Sequence, residues 1–172
     1  EVFDEHKVTF VSVTQSFNTT TSMGRLMLNV LLSFAQFERE VTGERIRDKI
    51  AASKAKGMWM GGLVPLGYEP PANRDRALVV NQREAATVRL IFAKLLELGN
   101  VGALQKWLHR EGIRSKRRTS TRGRMLGGSD FSRGALRHLL SNRLYIGELS
   151  HKGVVHPGRH ERILDPATFH AV

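Results

Sequence analysis

The chain has 172 residues, 41% of them hydrophobic, with 27 Lys and Arg against 16 Asp and Glu and no cysteine. That length suits one ordinary domain or two small ones, and the missing cysteine excludes disulfide scaffolds and thiolate zinc sites. The sequence shows neither a signal peptide nor an apolar run of the ~20 residues that span a bilayer, so a cytoplasmic protein without membrane association is expected.

The charge is unevenly placed. Residues 1–56 hold 8 Lys/Arg and 7 Asp/Glu, a net of +1, whereas residues 57–172 hold 19 and 9, a net of +10. A basic domain of this kind favours a polyanion, because each phosphate it neutralises releases condensed counterions. The chain opens at Glu1 without an initiator methionine, from which a piece of a longer protein is expected.

Val8 to Thr14 is a β-branched run that reads as a strand needing partners elsewhere, and QSFNTTTS after it reads as a loop. Thr21 or Ser22 can cap a helix beginning at the next residues. From Met23 to Lys56 the spacing predicts one helix, roughly 50 Å long at ~1.5 Å per residue. Its first half is apolar on nearly every side, with only Asn29, Ser33 and Gln36 polar between Leu26 and Phe37. Such a half is read as a protein–protein surface, and a homo-oligomer through the helix is expected. The second half is charged, and its cations Arg47, Lys49, Lys54 and Lys56 are assigned to a charged partner.

GMWMGGLVPLGYEPP, residues 57–71, reads as a linker because its glycines and prolines cannot continue a helix; Trp59 and Tyr68 are expected to anchor it to protein. A helix is predicted from Asn81 or Gln82 to Leu98, with Ala85, Val88, Ile91, Phe92, Leu95 and Leu96 inward and a stop at Gly99. Val101 to Arg110 forms a second, with Leu104, Trp107 and Leu108 inward. Then comes IRSKRRTSTRGRMLGGSD, whose hydroxyls and glycines predict a mobile loop. Its cations Arg114, Lys116, Arg117, Arg118, Arg122 and Arg124 are assigned to the phosphate backbone, adding affinity rather than sequence choice. A third helix, Arg133 to Ser141, turns Leu136, Leu139 and Leu140 inward and Arg133, Arg137 and His138 outward, where they can reach base edges in a major groove. Leu144 to His156 gives two short strands around His151-Lys152-Gly153, with Lys152 a further DNA candidate. Helices followed by a hairpin predict a winged helix-turn-helix. His151, His156 and His160 have metal-like spacing, but no cysteine or well-placed carboxylate completes a site, so no metal is assigned.

Two stretches carry a family resemblance. The strand, Thr21, Met23, Gly24, Arg25 and Leu26 at the helix start, FERE (Phe37 to Glu40), and Glu44-Arg45 resemble the end of the catalytic domain and the long helix of serine site-specific recombinases. Asn18 departs from the pattern, where that family usually has aspartate. The GG-x-x-P-x-GY junction, EA-x-x-V-x-x-IF, L-x-x-x-GI (Leu108 to Ile113) and L-x-N-x-x-YIG (Leu140 to Gly147) resemble the recombinase DNA-binding domain of the large serine integrases.

The resemblance implies a mainly α chain with small β content (α+β): the remnant of an α/β resolvase catalytic domain with its long helix over 1–56, a linker over 57–71, and a winged-helix-like DNA-binding domain over 72–172. It implies duplex DNA as partner, a dimer that becomes a tetramer in the active complex, and no cofactor, because a phosphoserine link conserves the bond energy. Arg39, Glu44 and Arg45 match auxiliary catalytic positions, whereas the nucleophilic serine lies outside the chain, which alone is expected to be inactive in strand cleavage. A local alternative makes Glu44–Arg47 and Arg45–Asp48 ordinary i,i+3 surface pairs. Two rivals remain: a non-enzymatic winged-helix regulator dimerising through the helix, and an RNA-binding module, for which two Trp and two Tyr offer few stacking platforms.

Overall fold

The computed structural model describes residues 11–12, 17–18, 21–71, 76–119 and 123–172. Strands β1 (Val11–Ser12) and β2 (Phe17–Asn18) pair antiparallel, so the predicted strand has a hairpin partner nearby in sequence; the rest of its span lies outside the described residues. Helix α1 then runs unbroken over Ser22–Ala55. The Thr21 hydroxyl accepts from the Gly24 amide at 3.0 Å, satisfying one of the donors a helix start leaves free. No residue of α1 is buried. Met23, Phe34 and Phe37 are 71%, 64% and 60% exposed, so the apolar face has no cover among the described residues.

By its contacts the chain divides into two units, Glu1–Lys49 and Ile50–Val172. In the second, the turn after α1 holds Gly57, whose φ of +72° and whose nearness to the Pro157 carbonyl leave no room for a Cβ. Strand β3 (Tyr68–Glu69) pairs antiparallel with β4 (Val79–Val80), opposing Tyr68 to Val80. Helices α2 (Gln82–Leu98), α3 (Val101–Arg110) and α4 (Arg133–Leu140) follow. Each begins on a side chain that accepts from the first turn: Asn81, Asn100 and Ser132. Gly99 closes α2 in the left-handed conformation.

The basic segment predicted as a mobile loop is instead a hairpin in its described part. Strand β5 (Arg118–Thr119) pairs with β6 (Met125–Leu126), and Ser115 and Ser129 close its base, the Ser115 amide donating to the Ser129 carbonyl at 2.9 Å. The strand pair predicted over 144–156 also differs in extent. Arg143–Ile146 is a 3₁₀ turn capped by Asn142, and only then do β7 (Glu148–His151) and β8 (Val154–Pro157) pair, turning at Lys152-Gly153 with both φ positive. Over 144–146 the backbone closes on itself instead of pairing, the Tyr145 amide donating to the Asn142 carbonyl and the Gly147 amide to the Leu144 carbonyl, both at 3.1 Å. A short helix α5 (Pro166–His170) ends the unit.

The core joins Ala85, Val88, Ile91, Phe92 and Leu95 of α2 with Leu104 and Leu108 of α3 and Leu136, Leu139 and Leu140 of α4. Leu96, expected inward, is 45% exposed, because it falls at the margin of the arc that α2 buries. The stretch read as a linker supplies part of this core through Leu66 and the fully buried Tyr68, with Trp59 packed against it. Tyr68 stacks on Tyr145 and meets His160 edge-on, and its hydroxyl, with one proton to donate, lies 2.9 Å from both the Leu144 and Glu161 carbonyls.

His160 is buried, and its Nε2 lies 2.8 Å from the Leu144 carbonyl, which fixes the proton on that nitrogen. Burial holds its pKa below the ordinary 6.5, against an opposing effect of the carbonyl. Because the unfolded chain then binds the proton more readily, stability falls as pH drops below about 6.5 and levels off below the folded-state pKa. Melting temperatures recorded between about pH 7.5 and 5 should decline less in His160→Gln than in the unmodified chain; parallel declines would contradict the assignment.

Candidate nucleic-acid interface

Helix α4 carries two unlike faces for a simple reason of period. Leu136, Leu139 and Leu140 fill the core, so Arg133, Arg137 and His138 are forced outward, and all three are exposed. The Ser132 hydroxyl accepts from Ala135 at 3.1 Å to start the helix, and Gln105 of α3 donates to the Phe131 carbonyl just ahead of it at 2.9 Å. The exposed side chains thus sit on a helix tied to α3 at its first turn.

The remaining cations assigned from the sequence separate into two groups. Lys116 is engaged inside the protein: its side chain is 13% exposed, and its ammonium lies 2.6 Å from both Glu84 Oε2 and the Tyr68 carbonyl. Glu84 Oε2 also accepts from the Gly67 amide at 2.9 Å, so one carboxylate joins α2, β3 and the basic hairpin. Arg118 donates to the Val64 carbonyl at 2.6 Å while its Nε is buried without a partner. Lys54 is half-buried, with Nζ 3.3 Å from His151 Nδ1. Desolvation and the charges of Lys54, Lys152 and His156 hold His151 below its ordinary pKa, which leaves Nδ1 free to accept from that ammonium. Lys54, Lys116 and Arg118, assigned to DNA from the sequence, thus exchange free solvation for protein partners in this structure. No periodicity marks this change, since the segments around Lys116 and Arg118 are not amphipathic helices and Lys54 lies in the last turn of one.

The second group is exposed. Arg117 lies across Gly128, where an added Cβ would meet its side chain, and Arg124 and Lys152 face outward. Arg114 is exposed but paired with Asp130 at 3.2 Å, and Asp130 also holds His109 Nδ1 at 2.8 Å. Sequence reading missed both His109 and Asp130 as neighbours; the hairpin segment between α3 and α4, closed at its base by Ser115 and Ser129, brings them together. Arg122 lies outside the described residues. Lys56 is exposed while its carbonyl accepts from Arg159 Nε at 3.0 Å.

On α1, Arg39, Glu44, Arg45, Arg47 and Lys49 are all exposed. Among the described residues the pairs Glu44–Arg47 and Arg45–Asp48 are not formed, and the Arg47 guanidinium rests over Gly43. The described residues contain no group of three His, Cys, Asp or Glu placed to hold a metal, and no helix long and apolar enough to cross a membrane.

Three helices, the last with an outward basic face, and a hairpin define a winged-helix-like domain. Residues 82–172, more than half of the chain, match the family described as Recombinase, and residues 1–59 match the Resolvase N-terminal domain. The chain belongs to the serine recombinase family. It is 37% identical over 57 residues to the transposon Tn917 resolvase of Enterococcus faecalis, covering 33% of this chain and 31% of that one. It is 33% identical over 92 residues to a DNA-invertase of Enterobacteria phage P7, covering 54% and 49%. Two solved structures align at a TM-score of 0.56 and 25% identity over 74% of this chain. One comes from work on the Listeria innocua prophage attP site and is covered to 48%; the other is an LSR–DNA complex, covered to 39%. The chain spans between about a third and a half of the length of these relatives.

The two groups of cations should respond differently to truncation. Lys116→Ala, which strands the Glu84 carboxylate, should cost roughly 1–3 kcal/mol of stability, whereas Arg117→Ala should change it by less than about 0.5 kcal/mol. Denaturant melts of both variants check this; equal losses would overturn the division.

Proposed function

We propose that this chain is the duplex-binding part of a site-specific serine recombinase, a protein that cuts and rejoins DNA through a phosphoserine link. One observation carries the reading: within the residues that match the recombinase family, α4 holds Arg133, Arg137 and His138 outward while its opposite side is locked into the core. A helix so held fits a major groove, where arginine pairs with guanine and histidine can reach a base edge. Arg117, Arg124 and Lys152, with Arg47, Lys49 and Lys56, are read as phosphate contacts.

The exposed apolar face of α1 supports association of copies through that helix, as a dimer and, during strand exchange, as a tetramer. Arg39 is assigned to neutralising charge on the scissile phosphate, Glu44 to orienting a guanidinium, and Arg45 to a second phosphate contact. The nucleophilic serine is assigned to none of the 172 residues, which contain no Tyr-x-Arg-x-Ser segment. The chemistry needs no metal, since cleavage conserves the phosphodiester bond energy in the protein–DNA link. The proposed domain plan places the catalytic remnant and long helix over 1–56, the junction over 57–71 and the DNA-binding domain over 72–172.

In a gel-shift titration of a cognate duplex, Arg133→Ala with Arg137→Ala should weaken binding by about tenfold or more, at ~1–3 kcal/mol for each good base contact; undiminished affinity would refute the α4 reading. In a cleavage-competent recombinase containing these residues, Arg39→Ala should lose strand cleavage and keep site binding. Normal recombination by that variant would remove Arg39 from the mechanism.

A further inference from the structure

The hairpin β5–β6 has an outward side that phosphate contact does not explain. Its register opposes Arg118 to Leu126 and Thr119 to Met125. Cross-strand partners share one side of a ribbon, and successive residues alternate between sides. Arg118 points inward, since its guanidinium reaches the Val64 carbonyl at 2.6 Å. Thr119 is exposed and Met125 is 63% exposed, and Leu126, although paired with Arg118, is exposed as well, so β6 presents both of its residues to solvent. The Thr119 hydroxyl lies 3.4 Å from the Met125 sulfur and holds that side chain in place.

The arm is anchored as well as shaped. Lys116, two residues before β5, is fixed to Glu84 and Tyr68. At the other end the Gly128 amide donates to the Ser115 carbonyl at 3.0 Å, and Gly127 and Gly128 both have positive φ. A side chain at Gly127 would collide with the Lys116 carbonyl, and one at Gly128 would displace Arg117. The exposed Met125 and Leu126 give this arm apolar side chains beside its exposed Arg117 and Arg124.

We propose that the β5–β6 ribbon is a second sequence-reading element, laid into the major groove of a bound duplex so that Thr119 and Met125 meet base edges. The inference rests on the duplex-binding reading above. A two-stranded ribbon fits that groove, a hydroxyl can bond to either strand's bases, and an apolar group there recognises the 5-methyl of thymine. The net +10 of residues 57–172, with Arg117 exposed at the arm's base, supplies the attraction to the flanking phosphates. The ribbon would thus add sequence choice to a stretch whose arginines alone suggest only affinity.

The test is selection of duplexes by the whole chain from a random-sequence pool, repeated with Met125→Ala and with Arg137→Ala, each variant first shown to melt like the parent. Met125→Ala should lose preference at one short block of positions, and Arg137→Ala at a different block. In the wild-type consensus, replacing thymine by deoxyuridine within the Met125 block should weaken the parent several-fold and leave Met125→Ala unchanged. A Met125→Ala consensus identical to the parent's, with Arg137→Ala altered, would overturn the ribbon's role alone. Failure of the parent to enrich any duplex would overturn this inference together with the function it rests on.

Discussion

The second unit depends on the burial of one tyrosine. Tyr68 is fully enclosed, and its ring touches the 3₁₀ turn through Tyr145 and the C-terminal segment through His160. Its hydroxyl lies within hydrogen-bond reach of two carbonyls from those same segments, and its own carbonyl accepts from Lys116 ahead of the basic hairpin. Burial pushes the phenol well above its ordinary pKa, so the ring stays neutral and keeps its proton for these bonds. Gly67 makes the arrangement possible: its φ of +94° and the pressing Ile163 side chain exclude a Cβ, while its amide donates to Glu84. A short run of chain between α1 and α2 thereby fixes where the basic hairpin, the 3₁₀ turn and the β7–β8 hairpin stand.

This explains which parts could be read from the residues. Helices α1, α2, α3 and α4 were legible nearly to the residue, because each has an apolar period and, at its start, a hydroxyl or amide side chain. The outward set on α4 followed from the same period. The junction and the basic segment were not legible in this way. Glycine and proline at 57–71 read as a spacer, yet glycine there serves close approach, and the tertiary contacts of Tyr68 override the local signal. In the basic segment, composition counts cations without saying which are turned inward. Lys116 and Arg118 differ from Arg117 only in the carbonyl and carboxylate that tertiary structure brings to them.

The division of cations refines the functional picture. A net charge counts every lysine and arginine alike, but Lys54, Lys116 and Arg118 are engaged by groups of the unit itself. The outward groups are an arginine pair with a histidine on a rigid helix, a shaped arm beside it in sequence, and a lysine at a hairpin turn. Rigid placement is what distinguishes recognition from mere attraction, since freely moving cations bind phosphate without choosing a sequence. The apolar face of α1 is a separate matter: it is the one long exposed hydrophobic stripe among the described residues, and association of copies would remove it from water.

Exposed side chains of this chain are proposed to neutralise duplex phosphates. The most direct measurement is the affinity of the unmodified chain for duplex DNA across a range of salt concentrations. Counterion release requires log K to fall linearly with log salt, with a slope of about −3.6 to −5.4 if roughly four to six phosphates are contacted. A slope near zero, or affinity for single strands equal to that for duplex, would contradict the account.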